Sequence, residues 1–208
     1  MSAPLLDTLG YLDLPPGRLA TLVTYLEMTA PPPPRDVPHR ADLVLRRWER
    51  PEPEAYRALY RRIGEPWLWF SRLLLDDPAL VAILHDPGLE VYLPLRDGAP
   101  IGILELDFRR AGECELAFFG LVPEAVGTGA GRWLMTRALE RAWRPGIGRV
   151  WVHTCHLDHP QALDFYIRSG FRPYKRAIEI FEDPRLSGVL PREAAPRVPL
   201  VEPRRGEG

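Results

Sequence analysis

Apolar and polar positions alternate early in the chain. LATLVTYLEM (Leu19 to Met28) is rich in β-branched residues and predicts a first strand. The stretch APPPPRD (Ala30 to Asp36) then predicts a stiff proline linker. Leu43 to Trp48 reads as a second strand. Glu54 to Ile63 reads as a helix, with Pro51 and Pro53 near its start. Trp67 to Leu84 predicts a longer helix, broken near Asp77 and Pro78. The apolar runs Leu89 to Leu95 and Pro100 to Phe108 flank the turn signal RDGA and predict a hairpin. Cys114 to Val122 predicts another strand. In Arg132 to Trp143, residues Leu134, Met135, Ala138, Leu139 and Ala142 recur at helical spacing. A strand at Arg149 to His153, a helix at Pro160 to Ser169 and a last strand at Arg176 to Phe181 complete the pattern. From Asp183 onward proline and charge dominate, which predicts an irregular tail, disordered or draped on a partner.

This order predicts an α/β chain of the layered α+β kind. Its central sheet is mixed but mainly antiparallel and flanked by helices, with a meander giving way to a β-α-β crossover. Three regions are expected: residues 1–36 as an arm with a strand and proline linker, 37–182 as the main domain, and 183–208 as the proline-rich tail.

Composition narrows the function. With 46% hydrophobic residues in 208, the chain can build a real core. A formal net charge of −1 speaks against a nucleic-acid partner held by phosphate neutralisation. Two cysteines, Cys114 and Cys155, suit a reduced, cytoplasmic protein. The N-terminus MSAPLLDTLG shows no signal-peptide pattern, and no apolar run approaches the ~20 residues of a membrane span. Lys175 is the only lysine, so no P-loop is present. No serine stands in a G-x-S-x-G elbow.

One stretch asks for a ligand. GLVPEAVGTGAGRWLM (Gly120 to Met135) ends a strand, places glycines at 127, 129 and 131, and starts a helix. Bare backbone at those positions lets N–H groups approach an anion, and the helix N-terminus adds its positive end. The G-x-G-x-G spacing is not the dinucleotide fingerprint. A merely flexible connection is the competing reading.

The same residues resemble the acetyl-CoA loop of the GCN5-related N-acetyltransferases (GNAT), V-x-P-E-x-R-G-x-G-x-G followed by a helix. DHPQALDFYIRSGFRPY (Asp158 to Tyr174) resembles that family's closing motif, with Ala162, Tyr166, Gly170 and Phe171 in register. The resemblance covers about Ile101 to Tyr174 and implies the acyl-CoA N-acyltransferase fold. Val126 replaces the family's usual Gln or Arg, and His159 replaces its Asn, a residue this chain lacks altogether.

The resemblance implies direct transfer of an acetyl group from acetyl-CoA to an amine of a small molecule or peptide, within a ternary complex. It assigns the cofactor to Leu121, Val122, Val126, Gly127, Thr128, Gly129, Ala130, Gly131, Arg132 and His159. Tyr166 holds the family's usual proton-donor position, and a phenol of pKa ~10 is protonated at neutral pH. Glu115 matches the glutamate base of histone-type members. Strand alternation sets Glu115 beside Ala117 and Phe119, apolar surroundings that favour a base; a solvent-facing glutamate is the competing reading. Glu105 is the second candidate base. A catalytically silent acyl-CoA-binding regulatory module and a tRNA-dependent aminoacyl transferase are the alternative functions.

Other signals are weaker. His153, Cys155, His156 and His159 form H-x-C-H-x-x-H, which matches no standard zinc module, and no metal is expected. Cys155 reads as a structural thiol before it reads as a nucleophile. WLWF (Trp67 to Phe70) reads first as core packing and second as an aromatic wall for a cationic amine. No membrane partner is expected, and a homodimer stays open.

Overall fold

A computed structural model describes residues 9–33 and 39–203. The start of the N-terminal segment and the end of the proline linker lie outside the described residues. The chain forms an eight-stranded sheet in the order β2-β3-β5-β6-β7-β1-β8, with β4 paired to β3. The strands are β1 (Arg18–Met28), β2 (Leu43–Arg47), β3 (Leu89–Arg96), β4 (Ala99–Pro100), β5 (Gly102–Asp107), β6 (Glu113–Leu121), β7 (Arg149–Cys155) and β8 (Arg172–Glu182). All pairings are antiparallel except β6 with β7, the pair joined by a helical crossover. The mixed, mainly antiparallel sheet follows the expected architecture.

Among the described residues four α-helices cover it: α1 (Pro53–Gly64), α2 (Asp77–Leu84), α3 (Ala130–Ala142) and α4 (Ala162–Arg168). Pro53 opens α1, where its missing N–H costs nothing, and Tyr56, Tyr60 and Ile63 recur at helical spacing to bury one stripe. Each such side chain contributes roughly 1.5–3 kcal/mol by leaving water. Asp76 caps α2 by accepting from the Ala79 N–H at 2.9 Å. α1 and α2 pack on one sheet face, with Tyr60 against Phe118. α3 and α4 pack on the other, with Phe119 against Phe165 and Tyr166. Among the described residues no helix is long and apolar enough to cross a membrane.

Two segments depart from expectation. The long helix foreseen over Trp67 to Leu84 is absent. Two 3₁₀ turns, Glu65–Trp67 and Ser71–Leu73, precede α2 instead. Leu68 takes a left-handed conformation (φ 56) that ends the first turn, and Trp69 packs on the bare backbone of Gly64. A Cβ at Gly64 would lie 2.4 Å from that of Trp69, so only glycine admits this approach. The tail, in its described part, packs on its own chain. A buried Asp183–Arg185 pair (2.6 Å) starts it, and Arg185 also donates to the Val198 carbonyl. Leu190, Ala194 and Ala195 close over Leu68 and Leu157.

β1 belongs to the sheet itself, between β7 and β8. Its Val23 stands opposite both Cys155 and Ala177.

Candidate active site

The glycine loop leaves β6 through a 3₁₀ turn (Pro123–Ala125) and enters α3. Gly127 and Gly129 have φ of 78° and 82°, a region that favours glycine. Among the described residues no side chain caps α3, which leaves its first-turn N–H groups available to an anion. The loop is pinned from outside. Arg40 donates to the Thr128 carbonyl and Arg96 to the Thr128 hydroxyl, each at 2.9 Å. That hydroxyl donates in turn to the Ala125 carbonyl at 2.8 Å. Asp42 accepts two bonds from Arg40, which hold its carboxyl down to about 2, and lies 3.6 Å from Arg96.

β6 and β7 then part. They pair only from Glu113 to Glu115 against Arg149 to Trp151, although β6 runs to Leu121 and β7 to Cys155. A cavity of about 660 Å³ fills this divergence and reaches both sheet faces. Tyr60 and Trp69 line it from one face, Phe165 and Tyr166 from the other.

Glu115 and Tyr166 therefore meet one space from opposite faces. The expected neighbourhood of Glu115 is corrected by a bulge in β6. Leu116 pairs with Leu106 and Phe118 with Glu105, so Ala117 is the extra residue. Alternation breaks there, and Glu115 shares its face with Phe118 and Glu105 while Phe119 turns to α4. The neighbour of Glu115 is His153, whose Nδ1 lies 3.3 Å from Oε1. The hydrogen bond to Glu115 raises the His153 pKa, against the opposing effect of burial. Tyr166 is 7% exposed and packed among Phe119, Phe165 and Phe171. Burial, with the nearby Asp158 charge, pushes its phenol well up and keeps it protonated. Asp158 accepts from Trp69 Nε1 (3.1 Å), Thr154 Oγ1 (2.7 Å) and the Cys155 N–H (2.9 Å).

The sequence profile of the acetyltransferase (GNAT) family matches residues 41–171, well over half of the chain. The chain belongs to the GNAT family. A mycothiol acetyltransferase of Beutenbergia cavernae is 32% identical over 112 residues, which is 54% of this chain but 33% of that protein. A GCN5-related N-acetyltransferase of Sphaerobacter thermophilus superposes with TM-score 0.60 at 17% identity, over 78% of this chain and 52% of its own. Another from Kribbella flavida gives TM-score 0.54 at 18% identity, over 83% and 63%. The chain thus spans a third to two thirds of these relatives, and the structural likenesses bear on the fold alone.

Within this GNAT cavity lie Glu115, Tyr166, Leu121, Val126, Gly127, Gly129, Gly131, Arg132 and His159. Val122, Thr128 and Ala130 sit behind it. The Val122 N–H is bonded to the Ile101 carbonyl, Thr128 braces the loop, and Ala130 is buried. Gly127, Gly129 and the uncapped start of α3 offer bare backbone, with Arg40 Nη1 3.3 Å from where a Cβ of Gly129 would stand, and this set of donors fits a pyrophosphate. Gly131 differs: it is helical, and an added Cβ would make only ordinary contacts. Glu105 is fully buried, accepting from the Tyr56 hydroxyl and from Arg72 at 2.7 Å.

The favoured reading of WLWF as core packing holds for Leu68, Trp69 and Phe70, and all four residues also line the cavity. Trp67 stacks edge-on with His159 at 5.1 Å and lies under Arg197 of the tail at 4.9 Å. The histidine cluster disperses: His153 meets Glu115, His156 Nδ1 accepts from the Leu22 N–H at 3.0 Å, and His159 Nδ1 accepts from the Gln161 N–H at 3.2 Å. Burial raises the Cys155 thiol, so it is not poised as a thiolate. Sequence reasoning missed Arg40, Arg96, Asp158 and the pairing of His153. Only Asp158 carried a signal, as a short polar residue ahead of a proline and a helix.

Proposed function

We propose that the chain is an acetyl-CoA-dependent N-acetyltransferase acting on a primary amine of a small molecule or peptide. One observation carries this reading: a single cavity joins the glycine loop, Glu115 and Tyr166. When bound, acetyl-CoA supplies an activated thioester. Gly127, Gly129 and the first-turn N–H groups of α3 hold its pyrophosphate, and Arg132 adds a positive charge at the rim. Arg40, Arg96 and Asp42 keep the loop in shape through Thr128.

The acceptor arrives as an ammonium and must lose a proton before it can attack. Glu115 Oε takes that proton, directly or through a water. His153 holds the carboxylate in place and passes the proton toward solvent, with nearly half of its side chain exposed. Tyr166 Oη supplies a proton to the departing sulfur. The acceptor side of the cavity carries Glu115 with Trp67, Trp69 and Phe70, which suits a cation.

A thiol-release assay with acetyl-CoA over mono-amines, polyamines, aminoglycosides and peptides tests the proposal. Amine-dependent thiol release is the expected result. Tight acetyl-CoA binding with no release for any amine favours the silent regulatory module instead.

A further inference from the structure

β8 is the end strand of the sheet: it pairs with β1, and no described strand pairs its other side. It is long and almost wholly exposed. Such an edge invites another strand. Its charges are sorted along its length. Arg172, Lys175 and Arg176 lie in the first half, Glu179 and Glu182 in the second. None of these five forms an ion pair within the described residues, and Lys175 rests only on the ring of Tyr25, 4.6 Å away.

The strand is therefore complementary to itself read backwards. We propose that β8 pairs antiparallel with β8 of a second copy about a two-fold axis through Ala177. This register sets Lys175 opposite the second copy's Glu179, and Glu179 opposite its Lys175. The bulge at Tyr174 and the missing N–H of Pro173 limit the ladder to the residues around this centre. Parallel pairing sets like charges side by side, and a slipped register separates the Lys–Glu pairs, so one arrangement is selected.

Apolar surface supports the same axis. On the face covered by α4, Leu22 and Ile178 stand opposite one another and are 43% and 53% exposed, with Ile180 beside them at 45%. A two-fold perpendicular to the sheet brings this patch against its own copy and adds to the area that the strands bury. On the other face Glu179 lines the candidate active site. The second copy thus brings an ammonium to the cavity wall of the first.

Sedimentation equilibrium of the full chain tests the proposal. The expected mass is twice that of the chain. Lys175→Glu places two carboxylates face to face at both ends of the ladder and should give the single-chain mass with unchanged circular dichroism. The swap Lys175→Glu with Glu179→Lys restores the opposite pairs and should restore the doubled mass. In the unmodified protein, carbodiimide coupling should join Lys175 to Glu179 between copies, and the single lysine makes that peptide unambiguous in mass spectrometry. A single-chain mass for the unmodified protein overturns the proposal. So does a doubled mass that survives Lys175→Glu, or a folded swap variant that stays single.

Discussion

His153 Nδ1 lies 3.3 Å from Glu115 Oε1, and the two residues come from strands that pair only at their beginnings. The contact makes the proton of His153 dependent on Glu115. Its folded pKa is raised above the ordinary value of about 6.5. The pair therefore stabilises the folded chain fully below that unfolded value, and the contribution fades as pH rises through the folded one. The melting temperature of the native chain should exceed that of His153→Gln most in mild acid, with the gap closing toward alkaline pH. A gap independent of pH removes the ionic link.

Glu115→Gln keeps the shape of the carboxylate and removes its basicity. The expected loss in kcat is at least about 10²-fold, with the acetyl-CoA dissociation constant little changed. The pH dependence of the rate should change in His153→Gln, because the raised titration of His153 no longer contributes to it. Steady-state thiol release across pH checks both. Full activity of Glu115→Gln would move the base to a water chain, since Glu105 is already committed to Tyr56 and Arg72.

Tyr166→Phe leaves the ring packing among Phe119, Phe165 and Phe171 intact. Its effect should fall on kcat, by about tenfold or more, and not on cofactor affinity. Equal losses in both would mark the hydroxyl as a binding group only.

The glycines of the loop should separate by backbone conformation. Gly129→Ala forces a side chain into a left-handed position, 3.3 Å from Arg40 Nη1, and should cost about 1–2 kcal/mol while weakening acetyl-CoA binding. Gly131→Ala adds a methyl within a helix at ordinary contact distance and should stabilise the chain by about 0.5–1 kcal/mol. Urea unfolding of both variants, with acetyl-CoA titrations, reads the contrast.

Arg72→Met removes one partner of a buried carboxylate. It should cost about 3–5 kcal/mol in urea unfolding, and adding Glu105→Met should recover much of the loss. If the single variant is as stable as the native chain, the Arg72–Glu105 pair contributes nothing to the fold.

The legible parts of this chain were local. β6, the glycine loop, α3 and the Tyr166 motif are contiguous, and each carries its own period or turn chemistry. The parts that stayed hidden depend on distant chain segments or on single backbone distortions. The partnership of Arg40 with Thr128 joins residues far apart in sequence, and no spacing rule announces it. The bulge at Ala117 inverts alternation without a glycine or proline to mark it, so Glu115 was given the wrong neighbours. Leu68 reads as helical by propensity, yet its left-handed conformation follows from the seat Trp69 finds on Gly64. His153 was visible only as one of several nearby histidines until β7 carried it to Glu115.

The place of β1 has a consequence for how the molecule is made. Among the described strands β1 is made first, and its partners β7 and β8 are made last. While β2 to β6 are made this strand has no mate, and the wall of the cavity cannot close until β7 and β8 return to it. The amide of Gly17 even waits for the carbonyl of Val201, almost at the end of the described chain. Closure of the cavity therefore waits for β7 and β8, and a nascent chain arrested before β7 would expose β1 as a template for aggregation.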